Sequence, residues 1–82
     1  MLQPKQKVLK PRSLHHAINI LLAAQSFERK HPEFRVMATK PHWRAGRPPL
    51  RWRWSFLWGW SVPTIRRAVR DGLRFYVERT SA

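Results

Sequence analysis

Between Glu33 and Asp71 the chain carries nine cationic residues and no acidic one. Like charges along such a stretch repel each other, so a fold must spread them over a surface or place them against an anionic partner. A second acid-free stretch covers residues 1–27, and the formal charge of the 82 residues is +13. This excess favours a polyanionic partner and argues against most small-molecule enzymes.

The chain is also short for an independent fold. A domain of this size buries only about 60% of the surface that its unfolded chain exposes. The sequence has no Cys, so neither disulfides nor Cys-ligated zinc can compensate for a small core. We therefore expect one domain at most, with little independent core, that folds together with a larger partner.

The pattern of apolar residues predicts a mostly α fold in four segments. Residues 1–12 form an extended basic arm, since prolines block a regular helix there. Residues 13–31 form an amphipathic helix that Ser13 caps. Residues 32–62 form an extended connector rich in Pro, Arg and Trp, within which Phe34–Ala38 has the character of a short strand. Residues 63–82 form an arginine-faced amphipathic helix and a tail, with Pro63 at the helix start.

The second helix is expected to run from about Thr64 to Arg79. At helical spacing Arg67 and Arg74 have Asp71 and Glu78 four residues further on, which predicts two stabilising ion pairs. Gly72, on the apolar face, indicates close approach by another chain element. The apolar faces of the two helices would pack on each other or on protein neighbours. The residues that we expect there are Leu14, Ile18, Leu21, Ile65, Val69, Leu73 and Tyr76.

Alternating Arg and Trp residues give the strongest functional signal. Guanidinium groups pair with phosphates while indole rings stack on unpaired bases. The same pattern suits cation–π contacts in a protein interface, the lipid headgroup zone, or a small aromatic core covered by arginine stems. The candidate contacts to nucleic acid or another anionic surface are Arg44, Arg47, Arg51, Arg53, Arg66, Arg67, Arg70 and Arg74. The candidates for stacking or an interface are Trp43, Trp52, Trp54, Trp58 and Trp60.

The sequence does not predict catalysis, a metal or a cofactor. The four acidic residues form no recognisable catalytic pair, and there is no Gly-rich phosphate loop. Histidines lack the HxxxH spacing of a zinc site, and no Cys is present to complete one.

Two short segments resemble known motifs. Gly46-Arg47-Pro48 resembles the centre of an AT-hook, which implies binding in the DNA minor groove. Ala45 stands where that motif has an arginine, and only five residues are covered, so we assign no function to it. Residues 51–54, Arg-Trp-Arg-Trp, resemble Trp/Arg-rich antimicrobial peptides over four residues.

The leading hypothesis is a small non-enzymatic structural subunit of a ribonucleoprotein, of the organellar-ribosome type, that contacts RNA phosphates. One alternative is an accessory subunit of a mitochondrial inner-membrane complex, in which the apolar run 54–65 lies at the membrane surface without spanning it. A second alternative is a short cationic effector that acts on membranes or host factors. The acid-free N-terminus followed by an amphipathic helix predicts a mitochondrial location.

Overall fold

The computed structural model describes residues 8–80 and shows an α+β fold, in which a three-stranded antiparallel sheet carries helices on one face. The prediction of a mostly α fold is wrong. Two of the strands lie in the predicted connector, and the third replaces the end of the predicted second helix. In chain order the elements are α1 (Leu14–Lys30), β1 (Phe34–Lys40), β2 (Leu50–Arg53), a 3₁₀ helix (Trp54–Gly59), α2 (Val62–Arg70) and β3 (Arg74–Arg79).

Helix α1 begins as the sequence predicts. The Ser13 hydroxyl accepts a hydrogen bond from the His16 N–H and caps the first turn. The chain leaves the helix at His31, directly before Pro32. The buried face of α1 differs slightly from the predicted one. Ile20 is buried, whereas Ile18 is only half-buried.

The sheet has the order β2-β1-β3, so the first strand lies in the middle. Strand β1 includes the predicted Phe34–Ala38 segment and continues to Lys40. In the register of the sheet, Ala38 lies between Trp52 and Phe75, while Thr39 lies between Arg51 and Arg74. Since side chains alternate between the faces of a sheet, the Ala38 row faces the helices and the Thr39 row faces the opposite side.

Helix α2 ends at Arg70 because the chain adopts a left-handed conformation at Gly72, where φ is +102°. The Leu73 N–H donates to the Ala68 carbonyl at 2.9 Å, and the Gly72 N–H donates to the Val69 carbonyl at 3.2 Å. These two bonds define a Schellman motif, which stops an α-helix. The predicted helix to Arg79 is therefore wrong beyond residue 70.

Strand β3 follows at once and alternates in burial. Phe75 and Val77 are buried, whereas Arg74 is exposed and Tyr76 and Glu78 are half-buried. The two ion pairs expected from helical spacing are absent from residues 8–80, where the carboxylates of Asp71 and Glu78 pair with other cations.

The sheet and helices enclose a core, which corrects the expectation of little independent core. Several residues that were assigned to protein neighbours are buried within this chain: Leu21 and Leu73 have no exposed surface, and Ile65 has 5%. Leu14, Ile18 and Val69 are half-buried, and Tyr76 lies on the opposite face of the sheet. The central cluster consists of Ile20, Leu21, Ala24, Phe27, Val36, Ala38, Leu57, Ala68, Leu73, Phe75 and Val77.

The N-terminal arm, which the structure describes from residue 8, pairs with the sheet at one residue. Leu9 and Phe75 exchange two backbone hydrogen bonds of 2.8 Å, which form an isolated antiparallel bridge beside β3. Residues 1–7 of the predicted arm and residues 81–82 of the predicted tail lie outside the described residues. The bridge places the cations that follow Leu9 beside α2.

Candidate nucleic-acid interface

A cleft of about 800 Å³ lies between the N-terminal arm and α2. We call it the basic cleft. Arg66 and Arg70 are four residues apart, so they lie on one face of α2 and both reach the cleft. The arm supplies the other wall, because the Leu9 bridge fixes its position. The complete lining is Lys10, Pro11, Arg12, Arg66, Val69 and Arg70.

The basic cleft has four cationic side chains and no acidic one in its lining. Within residues 8–80, none of these four forms an ion pair. The acidic side chains lie elsewhere. Glu28 pairs with Arg53, and Glu33 lies near the His31 imidazole. The other two pairs are Lys40–Asp71 and Arg51–Glu78. Uncompensated positive charge around one concave surface attracts a polyanion.

The loop between β1 and β2 carries the most exposed of the large apolar side chains in residues 8–80. Trp43 is 80% exposed, and the Arg44 guanidinium lies 4.9 Å from the centroid of its ring. The His42 ring stacks beside the indole with centroids 5.6 Å apart. Arg44 and Arg47 are both exposed in this loop. The loop therefore combines a free aromatic ring with two cations.

The remaining predicted arginines do not form one surface. Arg67 is exposed on α2 but does not line the basic cleft. Arg74 lies on β3, so it does not share a helix face with Arg66 and Arg70 as predicted. Arg51 and Arg53 have carboxylate partners, and their charges are partly neutralised within the chain.

The five tryptophans divide between the surface and the edge of the core. Trp52 and Trp60 pack edge to face with ring centroids 5.0 Å apart, and both contact the core cluster. Trp54 also packs against this cluster. Trp58 is 47% exposed on the 3₁₀ helix. Among the predicted stacking residues, Trp43 is therefore the one with the greatest free ring surface.

Sequence reasoning did not select Lys10 and Arg12 as site residues. Their charges were visible in the acid-free N-terminal stretch, but their position beside α2 depends on the distant Leu9–Phe75 bridge. Lys40, His42 and Asp71 were likewise missed as neighbours of Trp43. These three line a smaller cleft at the base of the β1–β2 loop.

Two further properties concern metals and membranes. Within the described residues, no three His, Asp or Glu side chains lie together in a group that would hold a metal ion. Neither α-helix in the described part of the chain combines the length and apolar character needed to cross a bilayer.

Fold and site together define a small α+β protein with a basic cleft and an aromatic loop. Comparisons with protein-family models, curated proteins and solved structures found no match to this chain.

Proposed function

We propose that the protein is a small, non-enzymatic structural subunit of a ribonucleoprotein that binds RNA through its basic cleft. The observation that carries this proposal is the lining of the cleft by Lys10, Arg12, Arg66 and Arg70, without an acidic residue. Lysine and arginine bind phosphate through charge and through the N–H groups that they donate. A cleft of this composition suits the phosphates of a nucleic-acid backbone better than an uncharged ligand.

The exposed indole of Trp43 supports RNA over other polyanions. Recognition of unpaired RNA uses aromatic rings as stacking surfaces beside cationic groups that bind phosphates. Trp43 and Arg44 supply this combination on the loop, outside the basic cleft. The ribonucleoprotein is proposed to be of organellar-ribosome type, and a mitochondrial location is part of this proposal.

The salt dependence of RNA binding tests the proposal. If four phosphates are neutralised, the plot of log K against log salt concentration has a slope of about −3 for single-stranded RNA. The double variant Arg66→Gln/Arg70→Gln is expected to reduce the magnitude of this slope by about 1.4. Glutamine preserves helix propensity, so the change removes charge without disturbing α2.

The matched control is Arg29→Gln/Lys30→Gln, which removes two exposed charges at the end of α1, away from the lining of the cleft. This variant is expected to keep the slope of the wild type. A wild-type slope near zero contradicts phosphate binding. An equal loss in both double variants contradicts the basic cleft as its location.

An exposed apolar patch favours a second candidate function, that of an accessory subunit at a membrane surface. Phe56, Trp58 and Val62 are 60%, 47% and 50% exposed, and Arg66 and Arg67 follow on α2. Aromatic and cationic side chains together suit the interfacial zone of a bilayer. Co-flotation with anionic vesicles would favour this function over RNA binding if it is lost in Phe56→Ser/Trp58→Ser. It should be retained in Lys10→Gln/Arg12→Gln, which changes only the basic cleft.

A further inference from the structure

We propose that the cleft at the base of the β1–β2 loop, which we call the loop cleft, binds one unpaired nucleobase of single-stranded RNA. The inference rests on the proposed RNA-binding function and narrows the substrate to unpaired RNA. The cleft has a volume of about 290 Å³ and is lined by Lys40, Pro41, His42, Trp43, Leu50 and Asp71. This volume lies near the lower limit of small-ligand pockets, roughly 300–1,000 Å³, so it suits one ring system and is too small for a duplex.

The apolar wall of the cleft provides a surface for stacking. Trp43 leaves 80% of its surface free, and Leu50 is 37% exposed beside it. The indole has His42 stacked beside it and the Arg44 guanidinium 4.9 Å from its ring centroid. A flat, largely solvent-exposed ring of this kind is a surface on which an unpaired base can stack.

The polar wall provides partners for the edge of a base. The His42 Nδ1 accepts a hydrogen bond from the Arg44 N–H at 3.0 Å, which leaves Nε2 as the ring nitrogen that can donate to a ligand. Lys40 is a second donor, and the Asp71 carboxylate, 3.8 Å from its Nζ, is an acceptor. Base edges present donors and acceptors side by side, and this lining offers complements to both.

The position of this cleft relative to the basic cleft also fits a nucleotide. Arg70 lines the basic cleft and the next residue, Asp71, lines the loop cleft. The end of α2 therefore contributes one residue to the lining of each cleft. One sugar joins a phosphate to a base, so a strand held in the basic cleft can place a base beside Trp43. In a duplex the bases stay paired, and only the phosphate contacts remain.

Binding of two RNA probes to the full chain tests the inference. The probes are a fluorescent oligouridylate of about 12 nucleotides, within the site sizes of single-strand binding proteins, and an RNA duplex of the same length. Affinities are measured by fluorescence anisotropy at one salt concentration. Trp43→Ala is expected to weaken oligouridylate binding about tenfold, as loss of one stacked base does. Duplex binding is expected to be unchanged, and Trp43→Phe is expected to recover most of the lost affinity.

Trp58→Ala is the matched control, since it removes another exposed indole outside the cleft. It is expected to leave both affinities unchanged. If Trp43→Ala weakens binding of both probes equally, or of neither, the loop cleft does not bind a nucleobase. RNA binding itself would still be supported if the wild type shows a steep salt dependence. If the wild type binds neither probe, the proposed function fails and this inference fails with it. Circular dichroism of each variant verifies that the fold is retained.

Discussion

Arg51 and Glu78 form an ion pair across the sheet, with 2.6 Å between Nη2 and Oε1, although β1 separates their strands. The Arg51 Nε also donates to the Tyr76 hydroxyl at 2.6 Å, and the guanidinium lies 5.6 Å from the centroid of that ring. One side chain thus connects β2 to β3 over the middle strand. Its charge is shared with a carboxylate, which makes it a weaker candidate for a phosphate contact than the arginines of the basic cleft.

A double-mutant cycle of Arg51→Gln and Glu78→Gln measures this connection. We expect a coupling free energy of about 0.2–1 kcal/mol, because both side chains are partly exposed and water screens their attraction. Urea unfolding of the wild type, both single variants and the double variant provides the values. Additive effects of the two substitutions would show that the pair does not form in solution.

Replacement of Gly72 tests the end of α2. Gly72→Ala is expected to lower the free energy of unfolding by about 1–2 kcal/mol, since a side chain is unfavourable in the left-handed region. The new Cβ would also lie 3.4 Å from the Pro41 Cδ. Gly59→Ala is the control, because Gly59 has no positive φ and a Cβ added there would meet open space. We expect the control to be neutral or slightly stabilising, and equal losses in the two variants would contradict the assigned backbone conformation.

Glu28 connects α1 to strands β1 and β2 of the sheet. Its carboxylate accepts hydrogen bonds from the Val36 N–H and from the Arg53 guanidinium, and its side chain is 16% exposed. Glu28→Ala is expected to cost about 1–3 kcal/mol of stability, because it leaves the part-buried N–H without an acceptor. Glu28→Gln is expected to cost less, because its amide oxygen still accepts.

The control for this prediction is Glu33→Ala, whose side chain is 50% exposed. The Glu33 backbone carbonyl accepts the bond from Thr80 and is retained in the variant. Thermal or urea unfolding ranks the three variants. A cost of Glu33→Ala as large as that of Glu28→Ala would contradict the importance of the Val36 contact.

The 3₁₀ helix has one fully buried side chain, that of Leu57. Leu57 has no exposed surface, whereas its neighbour Phe56 is 60% exposed. Leu57→Ala is expected to lower the free energy of unfolding by about 2–5 kcal/mol through the cavity it creates. Phe56→Ala is expected to change it by less than about 0.5 kcal/mol. Urea midpoints of the two variants check the prediction. A larger loss of stability in Phe56→Ala than in Leu57→Ala would contradict the burial of Leu57.

Local sequence signals predicted where the two helices begin. The Ser13 cap and the helical spacing of apolar residues located α1, and Pro63 located the start of α2 close to its observed position at Val62. Residues 74–79 fitted a helical pattern, yet their alternation between polar and apolar side chains also fitted a strand. Gly72 decided between the two, because a left-handed residue ends the helix before the strand begins.

The candidate site was predicted less completely, for a physical reason. Arg66 and Arg70 were selected from their charge and helical spacing, and Trp43 was selected from the alternation of Arg and Trp. The basic cleft also needs Lys10 and Arg12, which the Leu9–Phe75 bridge brings to α2 from the other end of the chain. Residues 50–53 were interpreted as a connector because prolines precede them, and their pairing with β1 depends on contacts distant in sequence.

Strand β2 lies at the outer side of the sheet, where unpaired backbone groups attract strands of other molecules. It has only four residues, and two of them, Arg51 and Arg53, are charged. Pro48 and Pro49 lie directly before it and cannot donate the hydrogen bonds that would lengthen a pairing. A second copy of the chain that approaches this edge therefore finds only a short strand to pair with, which protects the protein against edge-to-edge aggregation.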